Sequence, residues 1–206
     1  MSTRRPSGHT PLLLVRHGQT PWNVAGRWQG QADIPLTDEG IRQARGVAAI
    51  LAAEPERPWT RLLSSDLVRA RTTAEHVGEA LGLPVELDAR LRERDVGHWS
   101  GRTRAEIAET DGGVLSAFDA RDPDVQPGGG ESTRQVRARA LAVLRELVEG
   151  RPGESIIVVS HLGWIRTLAP DAPRENVGRT PLIAEEVLER HATEISPFGG
   201  ESGEVL

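Results

Sequence analysis

The sequence predicts an α/β fold with a mostly parallel central sheet, and three observations lead there. Two short apolar runs, Leu12–Val15 and Ile156–Val159, lack polar alternation and read as strands buried on both faces. Between them, apolar residues recur three or four apart over long stretches, the spacing of amphipathic helices that cover a sheet. Each apolar run also ends alike, in Arg16-His17-Gly18 and in Ser160-His161-Leu162-Gly163. Open α/β sheets keep their ligands at the carboxyl ends of strands, so two histidines there point to a shared cleft.

Composition narrows the function classes. The 206 residues suffice for one domain with a sizeable core, and a net charge of −5 speaks against a general nucleic-acid binder. The chain has no cysteine, which removes disulfides, thiolate metal sites and cysteine nucleophiles. Residues 1–10 read as a polar tail without a signal peptide, 11–195 as a single domain and 196–206 as a flexible tail. The expectation is a cytoplasmic monomer or homodimer with neither nucleic-acid nor membrane partners.

The first strand leads into a loop over residues 19–36, where Thr20, Asn23 and Arg27 are candidate ligand contacts. Thr37 reads as a helix cap with Asp38 and Glu39 in the first turn and Ile41, Ala44, Ala48 and Leu51 on one face. A strand at 59–63 follows. Ser64-Ser65-Asp66 then offers caps to a helix with Leu67, Ala70, Ala74, Val77 and Leu81 inward. Arg69 falls in its first turn, where a guanidinium can add a forked donor to an anion that the helix terminus already favours. Pro84–Leu87 predicts a third strand. Thr103-Arg104-Ala105-Glu106 is a capping box that opens a short helix, and residues 111–130 read as irregular, within a lid spanning about 94–130. Ser132-Thr133-Arg134-Gln135 opens a long helix with Val136, Ala140, Val143, Leu144 and Leu147 in its stripe. A strand over 154–160 precedes a helix at 162–169 that stops at Pro170; Ile183–Glu189 predicts another helix, and no final strand is legible.

Chemistry concentrates at the strand ends and in Leu91–Gly101, which is too rich in charge and glycine for core. An imidazole at His17 is a nucleophile if one ring nitrogen is tied to a backbone carbonyl and the other faces the cleft. Arg16 places a fixed charge beside it, and Gly18 allows close backbone approach. Glu93 is a candidate general acid, since a carboxyl near bound negative charge can be driven to carry a proton. The structural alternatives are a satisfied histidine at a strand end, surface arginines, and Glu93 in a salt bridge to Arg92, Arg94 or Arg104.

Taken together, these motifs resemble the histidine phosphatase superfamily, which includes cofactor-dependent phosphoglycerate mutases. The resemblance runs from about residue 11 to 168. It rests on Leu14-Val15-Arg16-His17-Gly18-Gln19-Thr20 with Trp22-Asn23, on Pro35-Leu36-Thr37 with Gly40, and on Ser64-Ser65-Asp66-Leu67 with Arg69-Ala70. Further on it rests on Leu91-Arg92-Glu93 with Trp99-Ser100-Gly101, on Gly129-Gly130-Glu131-Ser132 and on Val159-Ser160-His161. It implies a three-layer α/β/α sandwich with helices on both faces of the sheet. It also implies His17 as the residue that takes the phosphoryl group, Arg16, Arg69 and His161 as ligands of the phosphate oxygens, and Glu93 as proton donor to the leaving group. No metal or cofactor is implied. The partner is a small phosphorylated metabolite, with Gly18, Thr20, Asn23, Arg27 and Arg94 as further substrate contacts. Only about thirty residues separate Gly101 from Ser132, shorter than the segment that shields mutases from water, so hydrolysis is expected ahead of mutase-type phosphotransfer or non-catalytic ligand binding. Arg27 to Gln31 followed by Asp33, with the Gly-Gly-Glu-Ser run, is similar to glucosyl-3-phosphoglycerate phosphatases.

Overall fold

The computed structural model describes residues 9–54, 58–150 and 153–192. Its strands are β1 (Pro11–Arg16), β2 (Arg61–Ser64), β3 (Val85–Leu87), β4 (Ile156–Ser160) and β5 (Arg179–Ile183), in the spatial order β3-β2-β4-β1-β5. All neighbours pair in parallel except β5, which runs antiparallel on β1. The helices are α1 (Pro21–Val24), α2 (Asp38–Ala52), α3 (Val68–Leu81), α4 (Arg104–Asp119), α5 (Thr133–Gly150), α6 (Leu162–Leu168) and α7 (Ala184–Arg190).

Strand alternation sorts the core into two layers. Leu12, Leu14, Ile156 and Val158 pack with Val136, Leu144, Trp164 and Val187 of α5, α6 and α7. Leu13, Val15, Ile157 and Val159 pack on the other face with Val47, Leu51, Ala70 and Val77 of α2 and α3. The three-layer arrangement and the mostly parallel sheet are thus as the sequence implies. A third cluster, Val96, Trp99, Ile107 and Leu115, contains no strand residue and forms a cap with Trp28 and Phe118 packed against it.

Several expectations need correction. The helix opened at Thr103 is not short: it continues to Asp119, so residues 111–119 are helical where an irregular stretch was expected. Gly112-Gly113 suggests a break, and the chain does bend at Asp111 (φ −143°, ψ 30°), but the Trp99 indole N–H donates to the Asp111 carboxylate (2.6 Å) and Leu115 is buried in the cap, which together carry the helix through. Ser64-Ser65-Asp66 does not cap α3 as expected; its N-cap is Leu67, and the Val68 N–H donates instead to Asp33 (2.6 Å) from the loop after β1. That loop also contains α1, capped by Thr20. The second strand begins at Arg61 rather than at residue 59, after Thr60 has bonded to Ser155. A final strand, β5, exists. Pro181 hides it in the sequence, but at a sheet edge the missing N–H is tolerated. Residues 1–8 of the expected polar tail and the whole 196–206 stretch lie outside the described residues.

Candidate active site

Parallel register brings the histidines together. Arg16 is level with Ser160, and Ser64 with Val159, so the chain leaves β1, β4 and β2 at neighbouring positions. The His17 N–H donates to Ser160 O (3.0 Å) and the Ser65 N–H to Val159 O (3.0 Å). The rings of His17 and His161 lie 5.1 Å apart, tilted by 56°.

His17 is buried, and its Nδ1 lies 2.7 Å from Gly18 O. A carbonyl only accepts, so Nδ1 carries the proton and Nε2 keeps its lone pair. Gly18 is required here, because a Cβ would stand 2.5 Å from Gly40 O at the start of α2. The Gly18 N–H is held by Thr73 Oγ1 (3.0 Å), which in turn donates to Arg69 O (2.7 Å). His161 Nε2 lies 2.9 Å from Ser65 Oγ. That hydroxyl accepts from the Leu67 N–H (3.3 Å), so its own proton is free for Nε2, which leaves His161 Nδ1 as a donor. Burial, reinforced by the charges of Arg69 and Arg16, holds both imidazoles well below their ordinary pKa of 6.5 and hence neutral.

Three guanidinium groups line the same region. Arg69, fully buried, donates Nη1 to Ala32 O (2.7 Å) and Nη2 to Gly30 O (2.8 Å), so the loop after β1 fixes its plane. Burial brings its pKa down to about 10 against the pull of Glu93 and Asp33, and it stays charged at neutral pH. Arg16 donates to Arg174 O, and Arg94 to Thr133 Oγ1 (3.0 Å) while its Cζ sits 5.2 Å above the Phe118 ring. Among the described residues, the buried side-chain nitrogens without a hydrogen-bond partner include Arg16 Nε, Arg69 Nε, Arg94 Nη1 and His161 Nδ1. A buried donor left unpaired costs roughly 1–3 kcal/mol, more when charged. Arg16, Arg69 and His161 feel one another's charges, and the field of Glu93 reaches Arg16, Arg69 and Arg94, so these donors fit an anionic ligand.

Glu93 faces the same region. Its Oε1 accepts from the N–H groups of Arg94 (2.8 Å) and Trp164 (3.2 Å), and its Oε2 from Gly163 (3.0 Å), at the start of α6. A Cβ at Gly163 would stand 2.3 Å from Oε1, so a side chain there would push the carboxyl off these amides. None of the salt bridges weighed for Glu93 forms: Arg92 pairs with Asp66, Arg104 with Asp119, and Arg94 bonds Thr133.

The other expected contacts are placed differently. Thr20 is fully buried and caps α1, with its hydroxyl on Asn23 and Gln29. Asn23 accepts from Thr20 and from Asn176 (3.3 Å). Arg27 is tied to Gly101 O (2.5 Å) and Glu106 (3.3 Å) at the cap. Sequence reading missed Asn176, whose side-chain amide donates to His17 O (3.1 Å), and Arg174, because the stretch before β5 carries no periodic signal. Thr73 was within reach: it lies four residues after Arg69, on the same helix face.

The match to known proteins agrees with this geometry. A family model for the histidine phosphatase superfamily (branch 1) covers residues 12–187. The chain belongs to that superfamily. It is 40% identical to a metal-independent phosphoserine phosphatase of Arabidopsis thaliana over 77% of this chain and 67% of the relative. It is 39% identical to a glucosyl-3-phosphoglycerate phosphatase of Mycobacterium tuberculosis over 84% of this chain and 79% of that one. Among solved structures, a mycobacterial glucosyl-3-phosphoglycerate phosphatase in complex with VO3 superposes with a TM-score of 0.76 at 35% identity, covering 84% of this chain and 90% of the other. These two curated relatives are named as phosphatases, others as phosphoglycerate mutase-like or probable phosphoglycerate mutases, and no helix among the described residues is long and apolar enough to cross a membrane.

Proposed function

We propose that this histidine phosphatase hydrolyses a small phosphomonoester without a metal, through a phosphoryl group carried on His17. The observation that carries the reading is the set of buried, unpartnered donors on Arg16, Arg69 and His161 around a neutral imidazole whose Nε2 is free. Phosphoryl transfer asks mainly for in-line positioning and charge stabilisation. Arg16, Arg69 and His161 take the phosphoryl oxygens while His17 Nε2 attacks phosphorus and the P–O bond to the alcohol breaks. Glu93 acts as general acid toward the departing alkoxide; its Oε2 accepts only one amide and has room for the proton it passes on. In the second half-reaction the Glu93 carboxylate takes a proton from the attacking water, inorganic phosphate leaves, and His17 is regenerated. Arg94 brings its remaining Nη1 donor to a carboxylate on the substrate, a group that phosphoserine and phosphoglycerates share. Gly18 keeps the backbone close to the phosphoryl group.

The test is phosphate release from phosphoserine, 3-phosphoglycerate and glucosyl-3-phosphoglycerate in the presence of a chelator, with an acid-labile, base-stable phosphoenzyme trapped by rapid quench. His17→Ala is expected to lower kcat/KM by at least about 10⁴-fold and to abolish labelling, with an unchanged circular dichroism spectrum. Substantial turnover by that variant, or loss of wild-type activity in the chelator, overturns the reading. Relocation of phosphate within the substrate without release makes the enzyme a mutase instead.

A further inference from the structure

Glu93 sits on a segment that has no regular structure after the turn ending at Leu91. Its carbonyls therefore lack the partners that a helix or strand would provide. One side chain of α5 takes two of them and a third from the turn itself. Arg139 donates from Nη1 to Arg90 O (2.7 Å) and Arg92 O (2.6 Å), and from Nη2 to Glu93 O (3.0 Å). The same guanidinium forms a forked pair with Glu131, Nε to Oε1 (2.9 Å) and Nη2 to Oε2 (2.9 Å). Glu131 closes on the far side of Glu93: Oε2 accepts from the Asp95 N–H (2.9 Å), and its own N–H donates to Asp95 O (2.8 Å). The pair is mostly buried, with side-chain exposures of 17% and 24%.

A planar fork of five donors fixes direction as well as distance, which a lysine ammonium cannot do across three carbonyls. Main chain and carboxyl of Glu93 are thus held separately, the first by Arg139 together with the Gln31 side-chain amide (3.2 Å), the second by the amides of Gly163, Trp164 and Arg94. We propose that Arg139 and Glu131 are positioning residues that act on the reaction through Glu93, setting where its carboxyl meets the leaving-group oxygen. The inference rests on Glu93 being the proton donor.

A brace that merely held α5 to the loop would affect all substrates alike, whereas a brace that aims a proton donor affects only those that need the proton. p-Nitrophenolate leaves without protonation; the alkoxide of 3-phosphoglycerate does not. Because kcat/KM reports the steps up to alcohol release, Arg139→Met is expected to lower it by about 10²-fold for 3-phosphoglycerate and by less than about threefold for p-nitrophenyl phosphate. In a Glu93→Gln background the same substitution is expected to add nothing, since its effect runs through the missing acid. Arg139→Lys and Glu131→Gln, which keep or nearly keep the side-chain volume, are expected to give the same selectivity at smaller size and carry the test if Arg139→Met fails to fold cooperatively. Equal losses on both substrates, or an undiminished loss in the Glu93→Gln background, overturn the inference. If Glu93→Gln alone is unselective, the role of Glu93 itself falls, a result distinguishable because it does not involve Arg139.

Discussion

Two neutral imidazoles packed against two guanidinium groups make an arrangement with a pH signature. His17 and His161 both lie well below the ordinary 6.5, first because of burial and then because of Arg69 and its neighbours. Below about pH 6.5 the unfolded chain binds protons at these positions that the native chain refuses, so stability is complete above that pH and declines as pH falls. Each histidine contributes a slope of up to about 1.4 kcal/mol per pH unit. Denaturant unfolding followed between about pH 7 and pH 5.5 is expected to show this loss, and His161→Gln should roughly halve the slope whatever it does to the absolute stability. A slope unchanged by that substitution would show that His161 is protonated in the native state. In the proposed mechanism the same depression keeps His17 available as a nucleophile in mildly acidic solution.

At the scale of elements, the loop after β1 does two jobs that local sequence does not reveal. Its carbonyls at Gly30 and Ala32 orient Arg69, and its Asp33 caps the helix that carries Arg69. Asp33→Ala is expected to cost roughly 1 kcal/mol of stability, as other lost helix caps do, and also to raise KM as the guanidinium loses its registration. Unfolding midpoints and steady-state kinetics check the two effects, and a stability loss with unchanged KM would show that cap and guanidinium are independent. The central strands and the helices α2, α3 and α5 were legible because burial imposes a strict period on their residues. His17, Glu93 and His161 were legible because polar groups interrupt or follow apolar runs there. What sequence could not show depends on partners distant in the chain: Asp33 as a cap, Asn176 against His17, and β5, whose Pro181 contradicts a strand everywhere except at an edge. The length of α4 was hidden by Gly112-Gly113, since only the Trp99 bond to Asp111 and the burial of Leu115 carry the helix through.

Over the whole molecule, the strand order decides which residues meet, and the layering decides which parts can move separately. The carboxyl ends of β1, β4 and β2 are consecutive in the sheet, so His17, His161 and Ser65 are fixed by the two main core layers. Arg94 reaches into a different unit: its guanidinium donates to Thr133 of α5 but lies over Phe118 of α4, whose ring meets Trp28 at 5.2 Å and Trp99 at 6.2 Å in the cap cluster. That cluster shares no residue with the layers around the sheet, so it has the makings of a separate cooperative unit of lower stability. Phe118→Ala removes the ring from both aromatic neighbours and from beneath the Arg94 guanidinium. Amide exchange over residues 104–119 is expected to speed up while β1 and β4 stay protected, and KM is expected to rise more than kcat falls, because the substitution loosens Arg94 but leaves His17, His161 and Arg69 in place. Exchange that accelerates equally in the strands would mean that cap and sheet unfold as one body. In that case the position of Arg94 would be set by the global fold, and substrate binding would not respond to the cap alone.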